Sequence, residues 1–593
     1  MDTIPHRLRE RKRLHPEAHA YHVKRNGAWV ATSWGTFVDE VDAATRALIG
    51  LGFEKGQSVA ILGFNRPEWV IAHHAAMSAA GAGAGIYTTC SPEEVAYIID
   101  HSEAPIVFLE NRSQWEKVKA TRDRLPKLEQ VVMMKGAEPI DDPLVLSWEQ
   151  FLSRGETVGP EAISGRLALV TEESLATLIY TSGTTGPPKA VMLSHRNLAW
   201  TASRALKVVP LGPTDSTLSY LPLSHIAEQM FTIHAPASIG VQVFFAESME
   251  KLGENLKEVQ PTLLFGVPRV WEKIHTGITS KLKDASALRK AIADWAMGVG
   301  SEVTGHRNRG EELGFGLKIR YKVANRLVFK KVKAAIGLSQ ARFCISGAAP
   351  ISREILEFFG SLDVCVAEVY GQSEDCGPTT FNAPGRTRFG TVGPAIPDLE
   401  VKIAPDGEIL VRGPNVFMGY YKDPAATAEV LIDGWLHSGD LGALDSEGFL
   451  SITGRKKEII ITAGGKNIAP KNIEAALKDS EWIAEAVVIG DRRKFLSAVL
   501  VLDTEIADKI AKERGWTGDL QVHPEVHAEI QRAVDRANEK FARVEHIRAW
   551  KLLPRPLSIA DGELTPTLKI KRRKVEEHFR HLIESMYADS TIG

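Results

Sequence analysis

The chain has 593 residues, 44% hydrophobic and 25% charged, a composition that excludes disorder, collagen or coiled coil as a description of the whole. Lys and Arg number 72 against 74 Asp and Glu, a formal net charge of -2, so bulk nucleic-acid binding is not expected. The four cysteines, Cys90, Cys344, Cys365 and Cys376, form no C-x-x-C pair, which fits a reducing compartment without a disulfide framework.

The N-terminus, MDTIPHRLRERKRLHP, starts basic but has no apolar run behind it, so it does not read as a secretory signal. No uninterrupted apolar run reaches the roughly 18–20 residues that a membrane-spanning helix needs. SVAILGF (58–64) reads as a buried strand, and RPEWVIAHHAAMSAAG (66–81) as a helix opened by a proline. The small-residue run AAMSAAGAGAGIYTTC (75–90) reads as close packing plus a turn. PIVFLE (105–110), VFFAE (243–247), TLLFGVP (262–268), ARFCISG (341–347) and VCVAEVYG (364–371) are further buried-strand candidates. Long stretches of mixed polarity lie between them, such as 283–300 and 318–336. This alternation implies an α/β architecture with mostly parallel sheets and flanking helices.

The character changes after about residue 390. LEVKIAPDGEILVRG (399–413) reads as two strands around a turn at Asp406-Gly407. FLSITGRKKEIIITAGG (449–465) reads as strands with a Gly-rich break, EAVVIGDRRKFLSAVLVLD (485–503) as another β pair, and most of 504–549 as charged helix. A boundary inside the basic run Arg455-Lys456-Lys457 gives domains 1–456 and 457–593. The clusters RERKR (9–13) and KIKRRK (569–574) read first as solvated faces, with acidic lipid or phosphate as the alternative.

The most specific segment runs Ile179-Tyr180-Thr181-Ser182-Gly183-Thr184-Thr185-Gly186-Pro187-Pro188-Lys189, fed by the apolar SLATLIY. Glycines let backbone N–H groups approach phosphate oxygens, hydroxyls add donors, and Lys189 adds a charge. The spacing is not that of an ordinary P-loop, because Gly183 is followed by Gly186 and no Ser or Thr follows Lys189.

The segment YTSGTTGPPKAVMLSHRN resembles the signature of the adenylate-forming superfamily, with Ala190 where the family usually has Gly. The resemblance continues in order through Tyr370-Gly371-Gln372-Ser373-Glu374, Gly434-Trp435-Leu436-His437-Ser438-Gly439-Asp440, Gly454-Arg455-Lys456-Lys457-Glu458 and Leu564-Thr565-Pro566-Thr567-Leu568-Lys569. The wording of FGTVGPAIPDLEV, ITAGGKNIAPKNIE and DGELTPTLKIKRRK is most similar to long-chain fatty acyl-CoA synthetases, especially the bubblegum type.

The resemblance implies a large N-terminal domain with a β-barrel-like subdomain, and a small mobile α+β C-terminal domain. It implies two half-reactions: a fatty carboxylate attacks the α-phosphate of ATP to give acyl-AMP and pyrophosphate, then coenzyme A displaces AMP. Thr181 through Gly186 and Lys189 would hold phosphates, with Thr184 and Ser373 as hydroxyl donors. Glu374, with Thr184, would hold Mg²⁺. Gly347-Ala348-Ala349 and Tyr370-Gly371-Gln372 would line the adenine pocket. Asp440 would accept the ribose hydroxyls and Arg455 would support the ribose or phosphate side. Lys569 would be the catalytic lysine, and the family's Gly before it is Leu568 here. Lys457 would be the hinge, and rotation about it would bring Gly464, Gly465 and Lys466 to the thiol tunnel. His225 would border the acyl carboxylate and Trp271 would gate the acyl path, each against a plain core reading. No acidic residue is assignable to holding a substrate amine, which favours a plain acid with an apolar tail. Loading of a separate acyl carrier protein, or a non-catalytic adenylate-binding scaffold, are the alternatives. The expected location is cytoplasmic, with room for peripheral contact at the inner face of a membrane and for a homodimer.

Overall fold

The computed structural model describes residues 2–181, 187–463 and 466–588. The phosphate-loop residues Ser182, Gly183, Thr184, Thr185 and Gly186, and Gly464 and Gly465, lie outside the described residues.

Two eight-stranded sheets organise the first three-quarters of the chain. In one, Ser58–Leu62 sits between Ala82–Ile86 and Ile106–Leu109, all parallel. Leu175–Thr181 extends that sheet in parallel, and Lys189–Ser194 returns antiparallel to it. In the other, Ser216–Ser219, Leu263–Gly266, Phe343–Ser346 and Val366–Tyr370 run parallel in that order. These strands are short apolar runs because both faces are covered: every residue of Ser58–Leu62 and of Leu263–Gly266 is buried.

The small-residue run 75–90 holds more than a turn. Its residues Ala82–Ile86 form a fully buried central strand. Glycine is required there by close approach. A Cβ on Gly83 would lie 2.3 Å from the His73 ring, and one on Gly85 would lie 2.7 Å from Ser224 Cα. A hairpin of His19–Arg25 and Ala28–Ser33 also joins the second sheet, unforeseen because its half-exposed strands carry no clean apolar run.

The β-rich part beyond residue 390 is a five-stranded antiparallel sheet, with Trp435–Leu444 pairing both Glu408–Arg412 and Leu450–Arg455. After the 3₁₀ turn Lys456–Glu458 a new sheet forms from Ile483–Ile489, Leu496–Leu502 and Ile547–Leu552. The last of these strands lies at the end of a stretch expected to be mostly helical. The apolar clusters on its two faces draw only on residues between 460 and 587. The clusters of the preceding chain draw only on residues up to 452. Hydrophobic burial is therefore divided at the basic run 455–457, and polar contacts carry the junction. Lys540 Nζ lies 2.7 Å from Glu354, Lys283 Nζ lies 3.2 Å from Glu481, and Thr89 Oγ1 donates to Pro566 O at 2.7 Å.

Candidate active site

Strand ends converge on one cleft. Tyr370 ends Val366–Tyr370, and the chain then doubles back so tightly that a Cβ on Gly371 would lie 1.4 Å from Gly377 O. Gln372, Ser373 and Glu374 form that turn. Next door, Gly347-Ala348-Ala349 follows Phe343–Ser346, with Ala348 in the left-handed region at φ 67° and a Gly347 Cβ position only 2.6 Å from Val369.

Asp440 lies on the antiparallel sheet facing this turn, directly across the ladder from Arg455. Its Oδ1 accepts from Arg455 Nε at 2.8 Å. Its Oδ2 accepts from Tyr370 OH at 3.0 Å and from Gln372 Nε2. Gln372 Nε2 also donates to Ser438 O at 2.9 Å. Three of the predicted nucleotide-binding side chains thus meet on one carboxylate. Burial works to lower the Arg455 pKa, but Asp440, Glu458 and Glu374 outweigh it and raise it.

Glu374 and Asp375 are adjacent carboxylates with different environments. Glu374 Oε1 accepts from Tyr420 OH at 2.8 Å, and Lys189 Nζ sits 4.9 Å from the centre of the Tyr420 ring. Asp375 is fully buried, pushed up to about 8 by burial, and accepts from Gln372 N at 2.6 Å and from the Thr379 hydroxyl. Glu374 is the one open to a ligand, and Asp375 shapes the turn. Among the described residues no group of three or more His, Cys, Asp or Glu could hold a metal ion. A lone carboxylate suits Mg²⁺, which takes few protein ligands and keeps phosphate oxygens.

The flanks of the phosphate loop are pinned. Thr181 and Lys189 are ladder partners, and Thr181 Oγ1 donates to Lys189 O at 3.3 Å.

Lys569 comes from the C-terminal lobe. Its N–H donates to Thr565 Oγ1 at 3.0 Å, its carbonyl accepts from Thr565 N at 2.8 Å, and Leu568 adopts φ 61°. The side chain has no ion pair among the described residues. It keeps solvent access within a cleft that protein surrounds, and its pKa is lowered, first by burial and then by Arg455 and Lys471. Glu374 and Asp440 act in the opposite direction. His225 shares the cleft: burial and the Lys569 charge push it down to about 4, leaving it neutral at ordinary pH. It caps Ile226–Gln229 through Nδ1, which accepts from Ala227 N at 3.2 Å.

Trp271 is fully buried, and its indole N–H is shared between Gly266 O at 3.2 Å and Ile345 O at 3.3 Å. With Phe359 edge-on at 5.3 Å, it forms part of the core wall behind the 347–349 turn. Lys457 lies in the 3₁₀ turn between the lobes, and Lys466 N donates to Thr462 Oγ1 at 3.2 Å.

Several contributors had no signal in the sequence. Tyr420 links Lys189 to Glu374 from a two-residue strand. Lys471, paired to Glu458 at 2.9 Å, adds positive charge beside Lys569. Glu228, buried and pushed up to about 7 by burial, accepts from the Thr232 hydroxyl at 2.6 Å and from Ser219 at 2.7 Å. It thereby ties the His225 helix to Ser216–Ser219. Only the spacing from His225 could have suggested it.

Residues 8–421 match the AMP-binding enzyme family and residues 457–591 match the AMP-binding enzyme C-terminal domain. A long-chain-fatty-acid–CoA ligase ACSBG2 of Xenopus laevis is 39% identical over 96% of this chain and 81% of its own length. A long-chain-fatty-acid–CoA ligase FadD15 of Mycobacterium bovis is 35% identical over 99% of this chain and 97% of its own. Among solved structures, O-succinylbenzoate coenzyme A synthetase of Bacillus subtilis, in complex with ATP and magnesium ion, superposes with a TM-score of 0.69 at 22% identity, over 96% of this chain and 99% of that one. With both matched segments in order and near-full-length relatives above a third identity, this chain belongs to the AMP-binding enzyme family.

Proposed function

We propose that this protein is an AMP-forming long-chain fatty acid–CoA ligase that uses ATP, Mg²⁺ and coenzyme A. The observation that carries the reading is the convergence of Tyr370, Gln372 and Arg455 on Asp440 beside Glu374, with Lys569 of the other lobe close enough for Arg455, Glu374 and Asp440 to act on its charge.

The first step joins an anion to a polyanion, so catalysis is positioning and charge neutralisation. Asp440 holds the ribose hydroxyls, and Tyr370 with the 347–349 turn flanks adenine. Thr181–Gly186 and Lys189 bind phosphate. Glu374 would hold Mg²⁺, which when bound would supply positive charge to the phosphates. Lys569 bridges the fatty carboxylate and the α-phosphate while the carboxylate oxygen bonds to phosphorus and pyrophosphate leaves. His225, neutral, borders the carboxylate without repelling Lys569.

Thioester formation needs another arrangement, because the thiol must reach the acyl carbonyl as AMP leaves. Residues 457–593 act as the mobile lobe and Lys457 as its pivot, a reading supported by separate cores and a polar junction. The segment Gly464, Gly465 and Lys466 then lines the thiol tunnel. Trp271 gates the acyl path, and opening requires it to release Gly266 and Ile345. Contact with a membrane surface belongs to the same reading, since long fatty acids partition into lipid. Loading of a carrier protein is not favoured, because the relatives carry CoA-ligase names.

The test is pyrophosphate release with Mg-ATP across medium to very long fatty acids and aryl acids, with and without coenzyme A. Turnover on long acids that requires coenzyme A is the expected result. Acyl-AMP that accumulates regardless of coenzyme A would shift the acceptor to a carrier protein, and silence on every acid would remove the ligase reading. In the same panel Trp271→Ala should change chain-length preference. A change in ATP affinity alone would take Trp271 out of the acyl path.

A further inference from the structure

Three helical segments are inserted between the adjacent parallel strands Leu263–Gly266 and Phe343–Ser346. The last runs without a break from Phe315 to Ile336, as Phe315–Ala324, the π-helical turn Asn325–Phe329 and Lys330–Ile336. Its inner side, with Leu317, Ala324, Val328 and Phe329, packs on Ala287–Asn308. Its outer side does not follow the usual polar pattern of a solvated helix. Phe315 is 82% exposed, Ile319 49%, Val323 44% and Leu327 44%. Spaced four residues apart, they form one inclined apolar stripe.

The charge carried by this helix itself has one sign. Between residues 315 and 336 there are seven Lys and Arg and no Asp or Glu, in a chain whose formal net charge is -2. Lys318, Lys322, Arg326, Lys330 and Lys331 are exposed and make no ion pair among the described residues. This contrasts with Arg320, which is paired to Glu302 at 2.9 Å, and Lys333, which is paired to Asp363 at 2.6 Å. Neither basic cluster noted in the sequence has this combination. Arg9, Lys12 and Arg13 are paired to Asp42, Asp39 and Glu10, and Arg572 to Glu474.

We propose that the face Phe315–Lys331 docks the protein on an anionic lipid surface, with the apolar stripe entering the headgroup boundary and the unpaired cations meeting lipid phosphates. An exposed apolar stripe on a helix whose own charges are all basic is what an interfacial helix presents, and the charge complementarity is with anionic lipid. The position also suits the substrate. The insertion starts at the helix Pro268–Lys283 that carries Trp271, and Val332 and Ile336, at the far end of the docking run, pack on the apolar cluster of Trp271 and Phe359. The inference rests on the membrane contact included in the proposed function and assigns it to one face. No helix among the described residues is long and apolar enough to cross a membrane, so the attachment is peripheral.

The test is co-sedimentation of the full chain with phosphatidylglycerol vesicles and with phosphatidylcholine vesicles, at low and high salt. Wild type should sediment with phosphatidylglycerol, weakly with phosphatidylcholine, and less at high salt. Phe315→Ser with Leu327→Ser, and separately Lys330→Glu with Lys331→Glu, should each weaken binding roughly tenfold or more, at about fivefold per basic residue for the second pair. Pyrophosphate release on acid delivered by albumin should be unchanged in both, which also shows that they fold. If wild type binds and both variants bind equally, the face is wrong and membrane contact stands. If wild type binds neither vesicle, the membrane reading fails with it. A dimer that becomes monomeric in the variants, without vesicle binding, would overturn the proposal and give the face to a second copy of the chain.

Discussion

Asp440 and Lys569 sit in one cleft and are held in opposite ways. Asp440 has both oxygens committed before any ligand arrives, to Arg455, Tyr370 and Gln372, all from the same lobe. Lys569 has only its backbone anchored, to Thr565, and its amine is surrounded by charges that it does not touch in an ion pair. Under the proposed function the contrast separates two tasks. A binding group is best preorganised, because fixed partners avoid reorganisation when the nucleotide enters. A group needed in one half-reaction must also be able to leave. Burial lowers the Lys569 pKa, as do Arg455 and Lys471.

The comparison breaks most visibly at Lys569. Lys569→Ala should reduce pyrophosphate release on the order of 10²–10³-fold, the range for removal of one preorganised stabilising group. Thioester formation from supplied acyl-AMP should remain near wild type. Equal loss of both half-reactions would refute a lysine that serves only one.

Asp440→Asn keeps the shape and removes the charge opposite Arg455. ATP KM should rise about tenfold, roughly 1.4 kcal/mol, with a smaller change in kcat. The figure is modest because the Arg455 side chain is 37% exposed and solvent screens the pair. A fall in kcat at unchanged KM would move Asp440 from binding to chemistry.

A pH profile sharpens the contrast. The Lys569 amine, with its pKa depressed, loses its proton at lower pH than an ordinary lysine. Adenylation should therefore decline on the alkaline side before the usual lysine range. Lys569→Arg keeps its charge there, so its residual activity should persist to higher pH. His225, at about 4, leaves no limb near neutrality. Identical alkaline limbs in wild type and Lys569→Arg would assign the titration to another group.

The smallest effect is at Leu568, which is 51% exposed and held at φ 61°. Leu568→Gly removes about 1–2 kcal/mol of left-handed strain and adds about 0.5–1 kcal/mol of unfolded-state entropy. The melting temperature should change by no more than about 2–4 °C. A larger fall would mean that the leucine side chain contributes packing that its exposure does not suggest.

Much of this was legible in the residues themselves. The buried strands 58–64, 105–110, 262–268 and 341–347 announce themselves as short apolar runs, because a strand covered on both faces has no polar side to alternate with. The family motifs were legible because phosphate, ribose and carboxylate chemistry restricts residue type, and the structure places Asp440, Arg455 and Glu374, named from them, around one turn. Ala82–Ile86 was not, because Gly83 and Gly85 erase the apolar signal for a reason that lies in His73 and Ser224.

The sequence by itself thus determined the alternating α/β architecture, the change of character after about residue 390, and the order of the family motifs. Tertiary structure alone decided which groups meet: that Tyr420 joins Lys189 to Glu374, that Asp375 is buried while Glu374 is open, and that Lys569 faces Arg455 and Asp440 across a polar junction. It also decided that Phe315, Ile319, Val323 and Leu327 face outward. The physical reason is common to all of these. Residue type sets what a side chain can do, whereas burial, pKa and partnership depend on distances to atoms far away in the chain, which no local pattern encodes.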